Sequence, residues 1–239
     1  MQQATIRIRV GVALQLVMIN IGVFLLQLIP GFTEQFLLVS SEVAMRPWTL
    51  LTTMFLHGSF SHLLFNMYAL FIFGPLVENR IGRNRFLLLY FGAGLIASLA
   101  ALAYPSALGA SGAIMGVLGM VIMLFPKMKV LFFFFIPMSM RSAGIIFAAL
   151  DIFGLFAEAS GIAHLAHLGG LAAGLLFGWY LLKKGKKFQT RFRAKSQAFS
   201  RPGPKTKAKS QTRSGQKKYE DTIELTKDEL DEFYKSGRL

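Results

Sequence analysis

Apolar runs of membrane-crossing length constrain this chain more than any other feature. A helix needs roughly 20 consecutive apolar residues to cross a ~30 Å hydrocarbon core. Residues 10–29, 62–77, 86–104, 142–160 and 163–182 meet or approach that length, and a shorter run covers 111–125. In lipid every backbone polar group must be satisfied internally, so such runs become helices packed in a bundle. A seventh run, 130–136, is rich in Phe but too short to span; lying between Pro126 and Pro137, it reads as an interfacial segment. The expected fold is an all-α membrane protein with six transmembrane helices.

Charge placement orients the bundle. With the N-terminus inside, inner connections carry Arg7 and Arg9, then Arg80, Arg83 and Arg85, then Lys127, Lys129 and Arg141. The run Lys183, Lys184, Lys186 and Lys187 is also inside, while the outer connections hold Arg46 alone. Basic residues accumulate on cytoplasmic loops, so both ends are expected in the cytoplasm of a multi-pass protein, placed in the plasma (inner) membrane. The first apolar run ends in Leu28-Ile29-Pro30-Gly31 with no small-x-small cleavage signal, so a retained helix is expected rather than a signal peptide.

The remaining charge is concentrated at one end. Residues 183–239 hold seventeen Lys/Arg and seven Asp/Glu, against nine and five in 1–182, which accounts for +10 and +4 of the net +14. Three parts are expected: a transmembrane domain over 1–182, a basic disordered cytoplasmic linker over 183–218, and a short acidic, amphipathic tail over 219–239. Thr226 to Glu229 form a capping-box pattern that points to a helix in the tail. The linker suits anionic lipid headgroups, at roughly 1 kcal/mol per basic residue near the surface. Nucleic acid is not expected, since no stacking-aromatic pattern accompanies the charge. With no cysteine there is no disulfide framework or thiolate metal site.

Two blocks carry chemistry inside the apolar body. Gly109-Ala110-Ser111-Gly112 opens the short run at 111–125, and Ala166-His167-Leu168-Gly169-Gly170 lies at the start of the last run. Fifteen residues rise only about 22 Å, so a helix ending near Lys127 at the inner interface leaves Ser111 well below the outer surface. His167 stands about one turn into its own span from the same side, so both fall at similar depth in the outer leaflet. Gly112 and Gly116 on one span, and Gly170, Gly174 and Gly178 on the other, form rows that let helix backbones approach closely. A lone serine in a span usually bonds back to its own helix. A serine and a histidine at one depth on glycine-lined helices favour a hydroxyl nucleophile and its base.

With these blocks and His62-Leu63-Leu64-Phe65-Asn66, residues 5–182 resemble the rhomboid intramembrane serine proteases in order, spacing and topology. The resemblance implies a six-helix rhomboid-like bundle with a long, partly embedded outer loop over about 30–53. It implies a serine endopeptidase that cuts single-span transmembrane segments near the outer leaflet. Ser111 would be the nucleophile and His167 the base, as a dyad without an acidic third member. His62 and Asn66 would stabilise the oxyanion, helped by the Ser111 N–H. Arg46-Pro47-Trp48, His57, Glu78 and Arg80 match positions that brace the loop and the end of the second span. A Glu78–Arg80 pairing fits there, with no catalytic role. Met115 stands where some members carry a ring stacked on the imidazole, so His167 must be oriented another way.

His164 and His167 form an HxxH pair, but no acidic or cysteine ligand joins them in the sequence and HExxH is absent, so neither metal nor cofactor is expected. Asp151, in the middle of the expected 142–160 span, lies about nine residues from the outer end, a poor depth for a third triad member. Two other classes compete with this reading: a non-proteolytic rhomboid-like pseudoenzyme that binds membrane clients, and a small-solute transporter using buried His and Asp. Intact Ser111 and His167 argue against the first, and the lack of an inverted repeat against the second.

Overall fold

The computed structural model describes residues 11–132, 135–156 and 162–199. The chain forms two compact units, Met1–Tyr180 and Leu181–Leu239. In order, the elements are α1 Val12–Leu26, α2 Phe32–Phe36, β1 Leu38–Val39, α3 Thr49–Thr52, α4 Phe60–Ile81, α5 Arg83–Ala101 and β2 Ser106–Ala107. There follow α6 Ser111–Leu124, β3 Lys129–Phe132, β4 Ile136–Ser139, α7 Met140–Gly154 and α8 His164–Phe199. Single 3₁₀ turns cover Ser40–Glu42 and Thr53–Phe55.

The first unit is a helical membrane bundle. Phe60–Ile81, Arg83–Ala101 and His164–Gly185 are long and apolar enough to cross a membrane, and Val12–Leu26 and Ser111–Leu124 are shorter apolar helices. Phe71, Leu88 and Leu176 point outward and are 59–65% exposed, the arrangement a lipid-facing surface requires. The short helix α6 is the centre of the bundle: every residue from Gly112 to Val121 is buried. Its N-terminus therefore opens among other helices rather than at the surface.

Glycine makes that packing dense. A Cβ on Gly112 would overlap Ala97 of α5, and one on Gly116 would overlap Ala93. On α8, a Cβ on Gly170 or Gly174 would overlap the carbonyl oxygen of Gly112 or Gly116 respectively. Gly119, outside the rows read from the sequence, belongs to the same seam, since its Cβ would stand 2.6 Å from the Leu171 carbonyl oxygen.

The loop after α1 is built rather than trailing. Leu38 and Val39 pair with Ala107 and Ser106, so β1 braces the strand that leads into Gly109. Thr53 Oγ1 donates to the Ala107 carbonyl at 2.5 Å, and Gly109 N–H donates to the Thr53 carbonyl at 3.0 Å. Leu38 packs with Ala97, Ala101 and Ala166 in a buried cluster beside the start of α8. Arg46 ties the loop to itself through an ion pair with Glu42 and a 2.8 Å bond to the Glu34 carbonyl.

Within the stretch expected to be interfacial, Lys129–Phe132 pairs with Ile136–Ser139 as an antiparallel hairpin, which satisfies backbone groups that a lone run would leave open. Three expectations are corrected. Glu78 is not engaged with Arg80; its carboxylate accepts from Val12 N–H at 2.8 Å and Ala13 N–H at 2.9 Å, capping α1. The span expected over 142–160 ends as a helix at Gly154. Helix α8 continues to Phe199, so the first part of the expected disordered linker is helical. Lys, Arg, Gln and Ala favour helix there, and the next proline is Pro202. The rest of the linker and the 219–239 tail lie outside the described residues.

Candidate active site

Gly109 sets the geometry at the start of α6, where Ser111 stands. Its φ of 126° is one that L side chains rarely adopt, and a Cβ there would stand 2.8 Å from the His62 ring and 3.6 Å from Ser111 Oγ. The chain thus turns sharply and brings a bare backbone between His62 and Ser111. Helix α6 starts at once, with Ile114 N–H donating to the Ala110 carbonyl at 3.0 Å as its first rung. The N–H groups of Ser111, Gly112 and Ala113 precede that ladder and lie at the positive end of the helix dipole.

Across the glycine seam, Ser111 Oγ lies 2.8 Å from His167 Nε2. On the other side of the imidazole, His167 Nδ1 lies 3.0 Å from Asp151 Oδ1. That same carboxylate oxygen lies 2.8 Å from His164 Nδ1. A carboxylate only accepts, so His167 carries its proton on Nδ1 and its Nε2 lone pair accepts the Ser111 hydroxyl proton. The expectations of a dyad without an acidic neighbour, and of histidines without an acidic companion, are corrected here. Asp151 is not deep in a long span: α7 ends at Gly154, so Asp151 sits in its last turn, level with the start of α8.

His62 is brought to the same place by α4. Ser59 Oγ accepts from His62 N–H at 3.1 Å, capping the helix and fixing where it begins. Ser111, His62 and His167 all line one cavity of about 390 Å³, walled by small residues including Gly94, Ala97, Ser98 and Ala101. Asn66 is one turn further along α4, buried, and does not line this cavity. His57 also stays outside it: its ring packs edge-on against His62 at 5.1 Å, while its backbone is clasped by the Gln27 side chain. Glu78 serves α1, and Met115 is buried in α6.

Asp151, His164 and His167 are also the residues that could hold a metal ion, each offering one ligand atom within 4.8 Å of the others. Their Nδ1–Oδ1 separations of 2.8 and 3.0 Å are those of hydrogen bonds. The arrangement has the parts of a serine hydrolase site: hydroxyl, oriented imidazole, unpaired N–H donors and a cavity beside them.

Comparison with known proteins gives the family. The chain is 33% identical to "Rhomboid protein 1, mitochondrial" of Saccharomyces cerevisiae over 186 residues, 72% of this chain and 54% of that one. It is 37% identical to "Rhomboid protease GluP" of Bacillus subtilis over 175 residues, 68% of this chain and 32% of the relative. It is 34% identical to the human "Presenilin-associated rhomboid-like protein, mitochondrial" over 152 residues, 59% of this chain and 38% of the relative. The chain thus spans about half the length of the yeast relative and about a third of each of the other two. Two of these names are mitochondrial, so the expectation of a plasma (inner) membrane gains no support beyond that of an integral membrane protein. The Rhomboid domain matches residues 44–184, which enclose Ser111, His167, Asp151 and His62, and the chain belongs to the rhomboid family.

Proposed function

We propose that this protein is an intramembrane serine endopeptidase that cleaves single-span transmembrane segments near the outer leaflet. The observation that carries the reading is the 2.8 Å contact between Ser111 Oγ and His167 Nε2 inside a helical membrane bundle. The chain crosses six times with both ends cytoplasmic, and the basic residues of 183–218 meet anionic headgroups. An extended stretch of substrate lies in the cavity, because an intact helix hides its carbonyls in hydrogen bonds. Ser111 Oγ attacks the scissile carbonyl carbon as its proton passes to His167 Nε2. The carbonyl becomes an oxyanion held by the Ser111 N–H and His62, with Asn66 the further donor that the family resemblance implies. His167 then protonates the leaving amine, and later takes a proton from the water that releases the acyl group.

Small cavity walls at Gly94, Ala97 and Ala101 suit substrates with small residues at the cut. The test is labelling of the detergent-solubilised chain by a fluorophosphonate probe, beside Ser111→Ala and His167→Ala. Labelling lost in both folded variants supports the reading. A folded wild type that neither labels nor cleaves a transmembrane substrate sinks it, and leaves the client-binding pseudoenzyme.

A further inference from the structure

We propose that Asp151 is a positioning residue for His167 and that His164 holds Asp151 in place. The reacting pair is then one end of a four-member chain, Ser111–His167–Asp151–His164. The inference rests on the protease reading above and deepens it.

Two imidazoles converge on one carboxylate oxygen, His167 Nδ1 at 3.0 Å and His164 Nδ1 at 2.8 Å. The side chains of Asp151, His164 and His167 are 10%, 11% and 21% exposed. A carboxylate this sheltered is costly unless hydrogen-bonded, and two N–H donors on one oxygen meet that need. The consequence for chemistry is the tautomer. Neutral imidazole alone is free to place its proton on Nε2, where it faces Ser111 and accepts nothing. Held against Asp151, His167 keeps the proton on Nδ1 and offers Nε2 to the hydroxyl. When the Ser111 proton arrives, the same carboxylate stabilises the imidazolium without taking a proton itself.

The site is built for this purpose from both helices. His164 and His167 are i, i+3 on α8 and present both rings to one side. Asp151 and Gly154 are i, i+3 on α7, and a Cβ on Gly154 would overlap the His164 ring. Gly154 is therefore the seat into which that ring fits, as well as the residue that ends the helix. Met115 offers no aromatic ring for the imidazole to stack on, and Asp151 supplies the orientation such a ring would give.

The test measures the fluorophosphonate labelling rate and the melting temperature of the full chain in detergent. The proteins are wild type, Asp151→Asn, Asp151→Ala, His164→Ala and His164→Asn. Asparagine matches the shape of Asp151 but no longer enforces the tautomer, so labelling is expected to fall roughly 10²- to 10⁴-fold with melting little changed. His164→Ala is expected to slow labelling roughly 10-fold or more, the size of one lost charge-assisted hydrogen bond. His164→Asn places an amide N–H near the lost Nδ1–H and is expected to recover most of that rate. Added formate is expected to restore part of the rate in Asp151→Ala, by returning a carboxylate to the vacated space. Wild-type labelling in folded Asp151→Asn overturns the inference while leaving Ser111 and His167 as the reacting pair. So do losses that only follow the folded fraction, with no recovery by asparagine at 164 or by formate. A folded wild type that does not label overturns the protease reading itself, and this inference with it.

Discussion

The backbone of Gly170 lies against the carbonyl oxygen of Gly112, so closely that a single methyl group on Gly170 would overlap that oxygen. Gly112 follows the serine and Gly170 comes three residues after the histidine. Ser111 Oγ and His167 Nε2 come within 2.8 Å because these two helices touch backbone to backbone at that level.

Gly170→Ala and Gly174→Ala separate two roles of this seam. Each forces a Cβ onto a facing carbonyl oxygen, at Gly112 and Gly116 respectively, so each is expected to cost about 1–3 kcal/mol of stability. Gly170 lies one turn nearer to His167, so its variant widens the Ser111–His167 gap more. Labelling per folded molecule is expected to drop at least 10-fold more in Gly170→Ala than in Gly174→Ala. Equal labelling in the two would mean that the seam serves only packing.

The seam was readable because small-residue spacing is a local pattern, as were the apolar runs and the Ser111 and His167 blocks. The position of Asp151 is not legible for a physical reason. Leu155 and Phe156 continue the apolar run past Gly154, so the run is longer than the helix that forms and places Asp151 too deep. The two-residue β1–β2 pairing left no alternation to read, and its partners are separated by 69 residues at Leu38 and Ala107. The hairpin at 129–139 hid within a Phe-rich run with no polar alternation. Sequence proximity pairs Glu78 with Arg80, whereas its partners are 65 and 66 residues away.

Gly109→Ala tests the turn that precedes Ser111. The positive φ should cost about 1–3 kcal/mol in a residue with a Cβ. That Cβ also displaces the His62 ring, which it would approach to 2.8 Å. If His62 is an oxyanion donor, the rate should fall by around 10²–10³, as for one lost donor. The comparison is His62→Ala: a double variant no slower than the slower single variant would place both changes on one interaction.

Glu78→Ala removes the cap on α1 that Gly11, having no side chain, cannot provide. Loss of two charge-assisted bonds at a helix N-terminus is expected to cost about 1–2 kcal/mol. Glu78→Gln keeps one acceptor and should fall between. Labelling by the folded fraction should match wild type in both, because Glu78 serves α1 and not the cavity. A rate defect at unchanged stability would count against this assignment.

His57 gives the bundle an acid-sensitive point outside its spans. The ring is 2% exposed and neither nitrogen has a hydrogen-bond partner of good geometry. Burial first, and then neighbouring His62, push its pKa down from 6.5 to about 4, with only the Phe55 backbone pulling the other way. The unfolded chain therefore takes up a proton near pH 6.5 that the folded chain refuses until about pH 4. Stability associated with His57 is complete above pH 6.5, falls as pH drops through this interval, and levels off below about 4. His57→Phe fills similar space with no nitrogen to desolvate, and the Gln27 clasp on the 57 backbone does not need the ring. The variant is expected to melt at or above the wild-type temperature at pH 7 and to lose part of the decline between pH 6.5 and 4. Parallel melting curves for both proteins across that range would show that His57 is not the sensitive group.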